Sequence, residues 1–201
     1  MTTIPSWYHK KANIDALVSQ QITKEFQEAL PIVYPEFKIE NNYLSKGTFH
    51  DKIDNDLLRE LVPTLSIVLK DMGIYHLWEK TALVAATPKQ PVSIHRDGTL
   101  NFRRLIALNF PVYNCEDSIT SFYEVKEGVD HAESLVLNNG TPYTKMNINK
   151  DDAVEVDTLM LAEPTWIRVN VLHSVRMTSQ KTRIAASIRF KPEPLEYLNS
   201  L

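Results

Sequence analysis

Two spacings of apolar residues divide the chain. Ile14, Leu17, Val18, Ile22, Phe26 and Leu30 recur at helical spacing along one face. Asn13 is the expected N-cap and Pro31 the expected stop. An amphipathic helix packed on a sheet is predicted there. A second helical stretch runs from Asn55 to Asp71, with Leu57, Leu58, Leu61, Leu65, Ile67, Val68 and Leu69 apolar. Pro63 should kink or divide it, and Gly73 stands just past its end. Neither stretch carries a catalytic constellation, so both read as covers for a core.

From about residue 76 the texture changes to short β-type runs separated by turn residues. The expected strands are Thr81 to Ala86, Val92 to His95, Arg103 to Val112, Ile119 to Val125, Ala153 to Leu161, Thr165 to Val171, Val175 to Met177 and Thr182 to Phe190. About eight strands is what a jelly roll requires. Lys126 to Asn149, with Gly128, Asn138-Asn139-Gly140 and Pro142, reads as a long excursion holding at most one short strand. The expected fold class is α+β, mainly β. A closed β core over about 76–192 carries a helical elaboration over about 1–75, and no linker or repeat divides the single domain 1–201.

Composition changes this picture little. The chain has 201 residues, 43% hydrophobic and 23% charged, as in an ordinary globular protein able to bury one core. A net charge of -3 gives no footprint for a nucleic-acid partner. Met1 to Trp7 shows no basic segment followed by an apolar run, and no window of about 18 uninterrupted apolar residues occurs. A cytoplasmic location is therefore expected, and the lone Cys115 precludes an intrachain disulfide. Cys115 reads as a small buried hydrophobe. Trp7, Trp78 and Trp166 read as core aromatics ahead of partner anchors.

The chemistry lies in two short segments, Ser93-Ile94-His95-Arg96-Asp97 and Leu172-His173-Ser174-Val175. Residues i and i+2 of a strand project to one side, so His95 and Asp97 can reach one metal from a strand end, and Gly98 lets the chain turn away. Two imidazoles and one carboxylate on one face of an iron(II) ion leave three positions for a chelating co-substrate and dioxygen. A nearby arginine, Arg183, points to an anionic co-substrate. His-x-Asp alone arises by chance in roughly three chains of ten of this composition, so context decides. The rival His131-x-Glu133 lies in the excursion without a strand pattern and is set aside. Read singly, His173 is a hydrogen-bonded structural histidine and Asp97 a turn residue.

The order His-x-Asp, distal His, then Arg resembles the 2-oxoglutarate and iron(II)-dependent oxygenase superfamily, over about residues 80 to 190. Arg104 stands nine residues past His95 and Arg183 ten past His173. Those spacings, with Arg103-Arg104-Leu105-Ile106-Ala107-Leu108-Asn109-Phe110-Pro111, most resemble the aspartyl/asparaginyl β-hydroxylase branch. Asp97 departs from that branch, which lacks the carboxylate. The resemblance implies a double-stranded β-helix (jelly-roll, cupin-like) core, with His95, Asp97 and His173 holding Fe(II). It also implies that Arg183 pairs with the distal carboxylate of 2-oxoglutarate, Arg189 being the fallback.

Arg183, Ala185, Ser187 and Arg189 share one strand face, so Ser187 can add a hydroxyl hydrogen bond. A solvated strand arginine is the bland reading of Arg189. If the last two strands form a hairpin through Thr178 to Lys181, an even loop would make Arg176 the inward residue instead of Arg183. Arg104 is a candidate substrate ligand, and Asn109, Tyr123 and Asn170 are candidate partners orienting the histidines. The resemblance further implies decarboxylation of 2-oxoglutarate to succinate and CO2, and hydroxylation of a substrate C–H bond. The alternatives are a non-oxygenase metal-binding cupin of isomerase or epimerase type, and a binding module that lost catalysis. A small-molecule or peptidyl substrate is expected, and no membrane.

Overall fold

The computed structural model describes residues 4–34, 55–88, 91–98, 105–126, 132–136, 142–146 and 152–201. Four helices are described: α1 (Ala16–Val33), α2 (Asn55–Leu61), α3 (Pro63–Asp71) and α4 (Leu195–Ser200). The first strands are β1 (His9–Lys11), β2 (Trp78–Ala86), β3 (Val92–Asp97), β4 (Ile106–Tyr113) and β5 (Ser118–Val125). They are followed by β6 (Ala132–Val136), β7 (Pro142–Met146), β8 (Ala153–Leu159), β9 (Thr165–Arg168), β10 (Leu172–Met177) and β11 (Arg183–Phe190). They form two antiparallel sheets, ordered β1-β9-β4-β11-β2 and β6-β7-β3-β10-β5-β8. Among the described residues no helix is long and apolar enough to cross a membrane.

Alternation along β11 shows how the layers are built. Ile184, Ala186, Ile188 and Phe190 join Ile22, Phe26, Leu65 and Leu69 of the helices in one apolar cluster. Burying each such large side chain contributes about 1.5–3 kcal/mol, so this helix-covered face stabilises the first sheet. The opposite face of β11 carries Arg183, Ala185, Ser187 and Arg189 and looks toward the second sheet. There Ala185 packs with Cys115 and Leu161, and Arg189 reaches Asp97 of β3. All eight residues of β11 are buried.

The helices depart from expectation at their ends. Asp15, not Asn13, caps α1, its carboxylate accepting from the amides of Leu17 (2.8 Å) and Val18 (3.2 Å). Leu17, in the first turn, is 74% exposed. Pro31 does not stop α1: it falls in the last turn, where one lost amide donor is tolerated, and Tyr34 N–H still bonds Leu30 C=O at 2.8 Å. Pro63 divides the second stretch as expected, sitting at the first turn of α3. That turn lacks its own side-chain cap. The buried Glu25 of α1 supplies one, accepting from Thr64 N (3.0 Å) and Thr64 Oγ1 (2.5 Å).

The excursion holds two strands, β6 and β7, because the punctuating Asn138-Asn139-Gly140 separates two extended runs instead of marking one loop. β7 lies beside the strand carrying His95 and Asp97, with His95 opposite Lys145 and Asp97 opposite Tyr143. β1 was not foreseen, being only three residues long. The expected hairpin between the last two strands is also absent: β10 and β11 lie in different sheets, joined by residues 178–182. Hairpin parity therefore does not govern them.

Candidate metal centre

His95 and His173 are cross-strand partners on β3 and β10, which puts the two rings on one face of the second sheet with centroids 4.2 Å apart. Each ring folds back on the carbonyl two residues earlier in its own strand. His95 Nδ1 bonds Ser93 O at 2.8 Å and His173 Nδ1 bonds Val171 O at 2.9 Å. A carbonyl only accepts, so Nδ1 carries the proton in each neutral ring and Nε2 presents a lone pair. Asp97 follows at i+2, its amide fixed to Val169 O at 2.8 Å, and Gly98 (φ 89°) ends the strand in a conformation that side chains disfavour. Asp97 Oδ1 lies 3.3 Å from His95 Nε2.

One potential ligand atom from each of His95, Asp97 and His173 lies within 4.8 Å of the others. Ligand atoms about 2.1 Å from one ion stand roughly 3 Å apart when adjacent, so the three residues suit a shared divalent cation. The electrostatics agree. Burial pushes the His173 imidazole down to about 4, and neighbouring His95 adds to that effect. His173 is thus a neutral donor at pH 7. Burial by itself would raise the Asp97 carboxyl, but the Arg189 guanidinium beside it holds it well below the usual carboxylate range. Asp97 is an anion.

Arg189 NH2 approaches Asp97 Oδ2 at 2.5 Å, and Arg189 is 8% exposed. This corrects the reading of Arg189 as a solvated strand arginine. Its place on the inner face of β11 carries it across to β3. Arg183, also inward, is 4% exposed, and its Nε has no hydrogen-bond partner among the described residues. Arg176 is exposed. The inward choice of Arg183 comes from two sheets facing each other, not from loop parity. Ser187, between the two arginines, is 1% exposed with its hydroxyl equally unpartnered among the described residues.

The expected histidine partners are not where expectation put them. Tyr123 opposes Leu172, on the face turned away from His173, and its hydroxyl meets Ser174 Oγ at 2.9 Å. Asn109 is level with Ser187 and Thr165 in the first sheet, across from the histidines. Asn170 adjoins Val171 and leaves Oδ1 buried without a partner among the described residues. Backbone carbonyls take the part assigned to all three, because a strand histidine can reach its own chain at i−2. Arg104 and His131 lie outside the described residues. Cys115 is buried and donates to Ile184 O at 3.0 Å, and burial raises its thiol pKa, against any nucleophilic role.

Phe122 was missed. It opposes His173 on β5, is fully buried, and lies 6.5 Å from the imidazole, with the Tyr8 and His9 rings at 5.6 and 5.8 Å. The wall it makes depends on the β5–β10 register, which no local pattern encodes.

No family model matches the sequence, and no curated protein matches it. Solved structures do. The epimerase SnoN in complex with Fe3+, alpha ketoglutarate and nogalamycin RO aligns with a TM-score of 0.51 and 14% identity, over 90% of this chain and 77% of its own. That likeness establishes a shared fold. The non-heme alpha ketoglutarate dependent carbocyclase SnoK follows at 0.45 and 15%, over 96% and 85%. HygX from Streptomyces hygroscopicus, with nickel and 2-oxoglutarate bound, aligns at 0.47 and 10%, over 90% and 80%.

Proposed function

We propose that this chain is an Fe(II)- and 2-oxoglutarate-dependent oxygenase of one domain, built on a double-stranded β-helix. One observation carries the reading: the Nε2 atoms of His95 and His173 and a carboxylate oxygen of Asp97 converge, while a buried cation, Arg183, has no counter-ion among the described residues. A site that held only a metal would leave that guanidinium uncompensated, which is expensive at such burial. An acid entering from solvent resolves both facts. Arg183 would pair with the far carboxylate of such an acid, with the Ser187 hydroxyl as a further donor, and its keto-acid end would lie toward the metal held by His95, Asp97 and His173. The SnoN complex, which holds Fe3+ together with alpha ketoglutarate, supports this assignment.

In this reading the bound iron would supply, with 2-oxoglutarate and dioxygen as co-substrates, an oxidant able to break a substrate C–H bond, one oxygen atom of O2 going to succinate as CO2 leaves and the other to the hydroxylated substrate. The chain's own residues hold and orient. The carbonyls of Ser93 and Val171 fix the His95 and His173 rings through Nδ1, so their Nε2 atoms would donate to a metal with little reorientation. Asp97 adds one negative charge. Phe122 and Ala107, Ile167 and Val169 form an apolar patch that keeps water from the histidines. The proposed outcome is hydroxylation of a small-molecule or peptidyl substrate. The aspartyl/asparaginyl β-hydroxylase-like branch remains a spacing resemblance only, and Asp97 favours the wider superfamily.

The alternative of a non-oxygenase metal-binding cupin does not call for a buried Arg183. The test is substrate-independent turnover of 2-oxoglutarate with Fe(II). His173→Ala should reduce it at least about 100-fold. Undiminished turnover in that variant refutes the ligand assignment.

A further inference from the structure

Asp97 is held at both oxygens by different partners. Oδ1 faces His95 Nε2 at 3.3 Å, on the side where the ligand atoms meet, and Oδ2 is occupied by Arg189 NH2 at 2.5 Å. The arginine comes from the opposite sheet, so the contact joins β11 to β3 and is not a by-product of neighbouring strands. Both partners are well buried, at 10% and 16% side-chain exposure, where a charge-assisted contact is strong and its loss costly.

A carboxylate free at both oxygens can close on a metal through two atoms. It would then fill one of the three positions that two histidines and a one-atom carboxylate leave open. Two positions cannot take a chelating acid and a third, diatomic molecule together. We propose that Arg189 is a positioning residue that reserves Asp97 Oδ2, so that Asp97 meets the metal through Oδ1 alone and a third coordination position stays open. Arg189 thus has a task of its own, distinct from that of Arg183. The inference rests on the metal-site reading of His95, Asp97 and His173.

Cobalt(II) is the probe, added without 2-oxoglutarate to the wild type, Arg189→Met and Arg189→Lys. Affinity is read by calorimetry and coordination by visible d–d absorption. Arg189→Met should change the Co(II) band shape as the second carboxylate oxygen enters the sphere, and the added donor should leave the affinity equal to or tighter than that of the wild type. Because Arg189 shows one nitrogen contact to Asp97, an ammonium can replace it, and Arg189→Lys should recover the wild-type band and an affinity within about threefold. A folded Arg189→Met protein that binds Co(II) with the wild-type band overturns the inference and leaves the metal site standing. If Arg189→Met does not fold, Arg189→Gln, shorter and uncharged, takes its place: an altered band supports the inference, and a wild-type band overturns it. A wild type that binds no Co(II) removes the metal site and this inference together.

Discussion

Arg189 and Arg183 stand at opposite ends of one inward face of β11, both buried, yet their surroundings are opposite in kind. Arg189 has an internal anion, Asp97. Arg183 has none among the described residues, and its Nε goes unpartnered there. Arg189 NH1 also lacks a partner among the described residues, but the charge of Arg189 is met inside the fold by Asp97, and the pair ties β11 to β3. On the proposed function, the uncompensated charge of Arg183 is the place for the acid's far carboxylate. On that proposal the same residue type serves two tasks on one strand, and the two ends should respond oppositely to the same substitution.

Stability of the ligand-free protein breaks the comparison most sharply. Arg189→Met strands Asp97 as an uncompensated buried anion and should destabilise by about 3–5 kcal/mol. Arg183→Met removes an uncompensated cation and should be neutral or stabilising by about 1 kcal/mol. Chemical denaturation of both variants checks the signs, and equal destabilisation would erase the distinction.

Acid should act at the Arg189 end. The folded pKa of His173 lies at about 4, below its value of 6.5 in an unfolded chain. Between these pH values the unfolded state binds the extra proton, so metal-free stability rises with pH through this window and falls as pH drops toward 4. The change amounts to about 3 kcal/mol. Below it, the depressed Asp97 carboxyl adds a further loss as it too takes up a proton. Urea midpoints across this range should slope in the wild type and be flatter in His173→Gln. A slope unchanged by that substitution would assign it to other groups.

Binding of 2-oxoglutarate should report on the Arg183 end. Arg183→Met should raise the 2-oxoglutarate KM about 30–100-fold, as loss of a buried charge partner does, with Co(II) affinity unchanged. Equal losses in both would merge the two ends into one site. Ser187→Ala gives the smallest effect, a KM increase of about fivefold for one neutral hydrogen bond. No increase would remove Ser187 from the acid's partners.

Much of the site was legible because it is local. His95 and Asp97 follow from strand alternation, and Pro63 divides two helices for a reason visible in one residue. The long-range parts were not legible. The role of Arg189 depends on β11 facing β3, and β10 and β11 read as a hairpin until the sheets are assembled. Tyr123 is one residue from Phe122, and that single step of register puts one side chain beside His173 and the other behind it. The orienting partners of the histidines are carbonyls, and side-chain identity says nothing of them.

The most direct measurement is anaerobic addition of Fe(II) and then 2-oxoglutarate, followed by visible absorption. A charge-transfer band should appear when both are present, disappear in His173→Ala, and require more 2-oxoglutarate in Arg183→Met. A wild type that binds Fe(II) and 2-oxoglutarate yet shows no such band contradicts the proposal that the acid chelates a metal held by His95, Asp97 and His173.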